Sequence, residues 1–298
     1  MVPSRIMTIP ALPFAPMRHL PDGTPIPALG LGTWRMGEDS AQREFEIRAV
    51  RDALRMGYRL IDTAEMYGEG GAESMLGTAL QHAFAAGEVQ RDDLTLVSKV
   101  YPHNAGTQDV VEACEGSLRR IGIDRIDIYL LHWRGDVPLA QTLEGFSRLQ
   151  SRGLIRHWGV SNFDVDDLEE LYALPGGGHC ATNQVYYSLG ARGIEFDLLP
   201  WQHRHRLPLM AYSPIDQGAL SGHPALRAIA QRLDVSAAQV ALAWVLRHPE
   251  AIAIPKAVRT AHLQDNLAAA QLQLAPADLL ALDRAFAPPR RKQPLAMI

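Results

Sequence analysis

Long apolar runs are missing from these 298 residues. No stretch approaches the roughly 20 consecutive apolar residues that cross a bilayer, so no membrane partner is expected. Cysteine is nearly absent. Cys114 and Cys180 have neither CxxC nor zinc-ligand spacing, which suits a reduced, cytoplasmic protein without disulfides or structural metal. An excess of one charge is lacking too: the net charge is −4 with no long like-charged run, which argues against nucleic acid as a main partner. Residues 1–20 carry Pro3, Pro10, Pro13 and Pro16 and have no uninterrupted apolar core, so they do not read as a signal peptide. Residues 1–17 are expected to be a loosely held extension. A glycine-rich dinucleotide turn is absent as well. The segment "GLGTWRMG" has Arg35 where the GxGxxG pattern needs its third glycine, so a dinucleotide would have to be held another way.

What is present is an ordinary soluble composition, 47% hydrophobic and 21% charged, at a length that one barrel domain reaches undivided. Short apolar runs predict strands at 29–32, 58–62, 94–99, 126–131, 154–160, 180–184, 208–212 and 251–255. Amphipathic patterns between them predict helices at 41–56, 72–86, 107–121, 138–152, 164–172, 193–205, 235–247 and 260–270. A turn at Asp22-Gly23 within residues 18–30 predicts a hairpin, and Pro276 opens a last helix over 276–286. The expectation is an α/β fold in one domain spanning 1–298. It is a (β/α)8 TIM barrel with a short N-terminal β-hairpin and an extra C-terminal helix, a doubly wound sheet being second.

In such a barrel, reacting groups stand at the C-terminal strand ends. Those ends carry Thr33 and Trp34, Asp62, Lys99, His132, Ser161 and Asn162, Gln184, Tyr212, and Pro255 with Lys256. Side chains alternate along a strand, so Tyr58, Leu60 and Asp62 should share one face, as should Thr95, Val97 and Lys99, and Ile126, Ile128, Leu130 and His132. If those faces point inward, a carboxylate, an ammonium and an imidazole meet on three adjacent strands, and Tyr67 can fold over them. A lysine beside a phenol stabilises the phenolate and pulls its pKa down from about 10 towards working pH. Asp62 would keep Lys99 charged, and the site would suit protonation of an oxygen gaining negative charge, as in carbonyl reduction by hydride.

Taken singly, each residue has a plainer reading. Asp62 can cap a turn, Tyr67 can be a surface phenol, Lys99 a solvated strand end, and His132 a satisfied buried histidine. Ser161-Asn162 reads equally well as the cap of helix 164–172. Gln184 can satisfy backbone, and Tyr212 can be core packing. Trp34, Met66 and Trp133 flank the reactive motifs and are candidates for a substrate pocket, with apolar anchoring as the alternative. His203 and His205 invite a metal reading, but residues two apart do not face each other on a helix, and no metal site is expected.

The motifs "GLGTW", "DTAEMYG", "VSKVYP", "LLHW", "WGVSNF", "NQVYYS", "AYSP" and "IPKAVRTAHLQDN" occur in that order from residue 30 to 266 and resemble the signatures of the aldo-keto reductases. Through "DTAEMYGEGGAE", "LPGGGHCATNQV" and "RGIEFDLLPW" the chain is most similar to a bacterial, methylglyoxal reductase-like branch. The resemblance implies Tyr67 as general acid, Lys99 and Asp62 as its tuning pair, and His132 orienting the substrate carbonyl. It implies NADPH extended across the barrel mouth, its carboxamide on Ser161, Asn162 and Gln184 and its nicotinamide against Tyr212. Thr33, Trp34, Asp62, Ser213 and Pro214 are further cofactor candidates. Lys256, Val258, Arg259, His262 and Asn266 lie in the segment implied to bind the adenosine 2′-phosphate. Many members have Lys-Ser and, six residues after the lysine, an arginine; here Lys256, Ala257 and His262 stand there, and Arg259 is extra.

The expected activity is NADPH-dependent reduction of small aldehydes or ketones, with methylglyoxal-like dicarbonyls as candidate substrates and a monomer as the working form. The short stretch after Pro289 suggests an open pocket. Two rival functions remain open to the sequence. A metal-dependent barrel hydrolase would have Lys99 repelling its cation. A redox-sensing partner subunit would bind NADPH with little turnover.

Overall fold

A computed structural model describes residues 15–298 of the protein. The predicted hairpin forms from β1 (Met17–His19) and β2 (Pro25–Pro27), paired antiparallel. The Thr24 N–H donates to Asp22 Oδ1 at 2.9 Å, and Gly23 takes the left-handed conformation that its lack of a side chain permits. Leu20 and Ile26 pack into one apolar cluster with Leu60, Val97, Ile128 and Met210, so the hairpin plugs the floor of the barrel. Of the predicted extension, residues 1–14 lie outside the described residues. Residues 15–17 are held, since the Ala28 N–H donates to Pro16 O at 2.7 Å.

Eight parallel strands follow in sequence order: β3 (Leu31–Gly32), β4 (Leu60–Asp62), β5 (Thr95–Val100), β6 (Ile126–Leu131), β7 (Ile155–Ser161), β8 (Asn183–Tyr186), β9 (Leu209–Tyr212) and β10 (Ala251–Ala253). Parallel bridges Leu29↔Ala253 and Gly32↔Lys256 join the last strand to the first and close the barrel. Helices α1 (Arg43–Met56), α2 (Gly71–Ala85), α3 (Asp109–Ile121), α4 (Leu139–Ser151), α5 (Val165–Tyr172) and α6 (Leu198–Arg204) each return the chain to the next strand. The apolar stripe of α1 (Ile47, Val50, Ala53, Leu54) is buried, and Gly57 stops the helix with φ 105.

The structure departs from the sequence pattern in several places. Helix α7 (Pro224–Leu233) has no counterpart among the predicted elements; it stands before α8 (Ala237–Leu246) as a second helix between β9 and β10. Its buried positions, Leu226, Ile229 and Ala230, make a stripe too short to separate from the next pattern. The pattern over 193–205 divides into a 3-10 turn (Gly193–Glu195) and α6, with Asp197 capping the latter. Strand β8 starts three residues late, although the Ala181 N–H already donates to Trp158 O at 2.9 Å and Thr182 O accepts the Val160 N–H at 3.0 Å, both on β7. Tyr58 does not share the face of Asp62: its hydroxyl donates at 2.9 Å to Leu263 O, on α9 (Thr260–Ala269), in the layer outside the barrel. Helix α10 (Pro276–Ala285) is the predicted final helix.

Candidate active site

The carboxylate that ends β4 is explained by what lies beside it. Lys99, on β5, is fully buried, and its ammonium donates to Asp62 Oδ1 at 2.7 Å, to Thr63 O at 2.9 Å and to Tyr67 OH at 3.0 Å. An ammonium has three protons, and all three are thereby placed. The phenol oxygen of Tyr67 receives one of them, so its own proton is left to face elsewhere, into the open cavity. Gln184 Nε2 donates to the other carboxylate oxygen, Asp62 Oδ2, at 2.8 Å. That link crosses the barrel and is not readable from the sequence.

The electrostatics sharpen one expectation and correct another. Lys99 is held above its ordinary value, because Asp62 and Tyr67 outweigh the desolvation that would lower it. Burial pushes Asp62 upward while Lys99 and Gln184 oppose it. The sequence predicts that Lys99 draws Tyr67 towards neutrality. Burial of the ring hydroxyl instead raises it above the ordinary phenol value, Asp62 adds to the rise, and Lys99 offsets only part of it. The phenol therefore keeps its proton at neutral pH.

His132 follows β6, and its ring meets that of Tyr67 edge-on, with centroids 5.8 Å apart. Its Nδ1 is buried with no partner among the described residues. Asn162, in the left-handed conformation at φ 57, donates through Nδ2 to His132 O at 3.1 Å and accepts the Tyr212 hydroxyl at 3.0 Å. Ser161 Oγ donates to Gln184 O at 2.9 Å. The alternative reading of Ser161-Asn162 as a helix cap is not what forms: Asp164 caps α5, in a reciprocal capping box with Asp167.

A cavity of about 670 Å³ runs along the C-terminal mouth. It is lined by Trp34, Asp62, Met66, Tyr67, His132, Trp133, Ser161, Asn162, Gln184, Tyr212, Ser213, Pro214, Lys256, His262 and Asn266. Thr33, Val258 and Arg259 are not on its wall: Thr33 is buried, Val258 packs against the core, and Arg259 is exposed ahead of α9. Residues outside the sequence-predicted set also line it, among them Arg35, Ile215, Gln217, Asp265, Met297 and Ile298. Arg35 adjoins the Trp34 motif, a signal that could have found it; it lies over that ring, 4.6 Å from its centroid. The last two carry no such signal. Lys292 pairs with Asp164 at 3.2 Å and Asp197 at 3.4 Å, carrying the tail across the mouth. The tail thus adds Met297 and Ile298 to the pocket wall. Elsewhere, His203 pairs with Glu250 and His205 stacks on Trp201. No group of three His, Cys, Asp or Glu side chains able to hold a metal occurs among the described residues.

Fold and site together define a (β/α)8 barrel with a phenol beside a buried cation at its mouth. Comparison with known proteins is specific. Residues 28–286 match the Aldo/keto reductase family. The chain is 48% identical over 278 residues to methylglyoxal reductase YeaE of Escherichia coli, a match that spans 92% of this chain and 95% of that protein. It superposes on the crystal structure of an aldo/keto reductase from Klebsiella pneumoniae in complex with NADP and acetate with a TM-score of 0.90 at 46% identity, covering 95% of this chain and 99% of that one. A Klebsiella pneumoniae structure in complex with NADPH matches equally well, with a TM-score of 0.90. The chain belongs to the aldo/keto reductase family.

Proposed function

We propose that the protein is an NADPH-dependent reductase of small aldehydes and ketones, with Tyr67 as the proton donor. The observation that carries this reading is the Lys99 ammonium, which places its three protons on Asp62, Thr63 O and Tyr67 OH. A phenol so held keeps its proton until an oxygen beside it becomes an alkoxide, and the cation then stabilises the phenolate left behind. His132, a neutral ring on the same wall, would orient the carbonyl. Trp34, Met66 and Trp133 supply apolar surface around it, with Met297 and Ile298 restricting its size.

The residues present suit a nicotinamide dinucleotide. The cavity joins the Tyr67 end to Lys256, His262 and Asn266, and a polar atom of a residue on its wall, His132 Nδ1, is buried without a partner among the described residues. When bound, that cofactor would supply the hydride. Ser161, Asn162, Gln184 and Tyr212 would position its reacting ring. The exposed Lys256, which has no carboxylate partner among the described residues, would take the 2′-phosphate. The relatives named above support NADPH and suggest methylglyoxal-like dicarbonyls.

Turnover of a panel of aldehydes, ketones and sugars, followed by absorbance of NADPH and of NADH, tests this reading. Rapid reduction of small aldehydes with NADPH is expected. Tight NADPH binding with negligible turnover of any carbonyl would overturn it in favour of a sensing role. Lys256→Ala is expected to weaken NADPH binding about tenfold, or about 1.4 kcal/mol, while leaving NADH binding nearly unchanged. Fluorescence titration showing equal effects on both would remove Lys256 from the phosphate site.

The pH profile offers a separate check. Burial, reinforced by the Lys99 cation, holds His132 well below the ordinary imidazole value of 6.5. A base with a lowered pKa is neutral at every pH above it, so the ring does not change charge between about pH 6 and 8. Turnover at saturating substrate and cofactor is expected to show no inflection near 6.5. An acid limb centred there that His132→Gln removes would show that the ring ionises in the working range.

A further inference from the structure

Behind the reactive cluster, on the far face of the same strand, lies a second buried carboxylate that never reaches the cavity. Glu73 is fully buried in the first turn of α2. Ser98 Oγ donates to its Oε1 at 2.6 Å, and Arg120 Nε, from α3, donates to its Oε2 at 2.6 Å. Arg120 reaches it across Gly70, where a Cβ would lie 2.6 Å from Arg120 Cδ, and it also donates to Ser117 Oγ at 3.2 Å. Glu73 is buried but the Arg120 side chain is 32% exposed, so the pair is partly screened by solvent and is weak as a source of stability. Its geometry offers another use.

Ser98 and Lys99 are consecutive on β5 and therefore point to opposite faces. Lys99 reaches inward to Tyr67; Ser98 reaches outward to Glu73. Tyr67 and Glu73 in turn belong to one short, cross-braced segment: the Ala72 N–H donates to Tyr67 O at 3.1 Å, and the Gly71 N–H donates to Gly68 O at 2.8 Å. The two elements are thus joined twice, once at the phenol and once behind it. The rear link is made by a carboxylate that cannot shift without leaving a charge unpaired.

We propose that Glu73, clamped between Ser98 and Arg120, is a positioning residue that fixes the Tyr67 hydroxyl against Lys99. The inference rests on Tyr67 being the proton donor. With the clamp loosened, the segment after β4 can relax by a fraction of an ångström, and misplacement of about 1 Å at a reacting group can cost about a hundredfold in rate.

The test is a double-mutant cycle on the full chain. Glu73→Gln keeps the size of the side chain but removes the nearer of the two carboxylates that hold Arg120, the other being Glu65 at 3.9 Å; Ser98→Ala cuts the link to β5 and leaves the ion pair whole. Each is made alone and with Tyr67→Phe, and kcat, NADPH affinity and the melting temperature are measured. The expected result is a loss of about tenfold or more in kcat with unchanged NADPH affinity. The loss should disappear when Tyr67 is already phenylalanine, because residues acting through one group are not additive. Equal losses in both backgrounds, a parallel fall in NADPH affinity, or no loss at all would overturn the proposal. If Glu73→Gln does not fold, Ser98→Ala gives the same reading with a smaller perturbation. Full turnover by Tyr67→Phe itself would be a different failure: it would sink the proton-donor assignment, and this inference with it.

Discussion

Replacing Tyr67 with phenylalanine is expected to lower turnover by about two to four orders of magnitude, the range that a positioned general acid supplies. Affinity for NADPH should be nearly unchanged. The substitution removes one oxygen and leaves the ring, which packs with Ala64 and Ala72, in place. The Lys99 ammonium then loses one of its three acceptors but keeps Asp62 and Thr63 O, so the fold should survive. Single-turnover measurement with saturating NADPH separates chemistry from product release. A variant that keeps most of its rate would mean that the proton comes from another group, with His132, on the same wall, the first alternative.

Lys99→Met is expected to do damage of two kinds. Asp62 is 2% exposed, and without its partner it is a buried charge that only Gln184 solvates. Breaking such a pair typically costs about 3–5 kcal/mol, which denaturant unfolding would detect as a lowered midpoint with an unchanged slope. Turnover should fall as well, because nothing then stabilises the phenolate. The double variant Lys99→Met with Asp62→Asn distinguishes the two effects. Stability should largely return, since no buried charge is left unpaired, while turnover stays low. Recovery of both together would mean that Lys99 serves the fold alone.

These expectations depend on residues that are partly legible in the sequence. Asp62, Lys99 and His132 can be placed on neighbouring strands because a buried strand that ends on a charged side chain is costly unless the charge is used. The motif order from "GLGTW" to "IPKAVRTAHLQDN" then makes the resemblance specific. Tyr58 shows the limit of that reasoning. Strict alternation from Asp62 back to Tyr58 reaches one residue pair below the hydrogen-bonded part of β4, where the chain has not yet entered the sheet, and the ring turns outward to α9 instead. Helix α7 shows another limit, because ten residues with three buried positions do not mark a separate element against the longer pattern that follows.

The chain's own order of residues determined the parallel barrel, since strand and helix periodicities alternate eight times and each is a local property of spacing. It also determined which chemical groups stand at the strand ends. Only the tertiary structure decided how those groups are spent: that Gln184 reaches across to Asp62, that burial outweighs Lys99 in setting Tyr67, that Met297 and Ile298 enter the cavity, and that Glu73 braces the other face of β5. The reason is distance along the chain. Asp62 and Gln184 are 122 residues apart, and neither their contact nor the solvent they exclude leaves any periodic trace in the stretches between them.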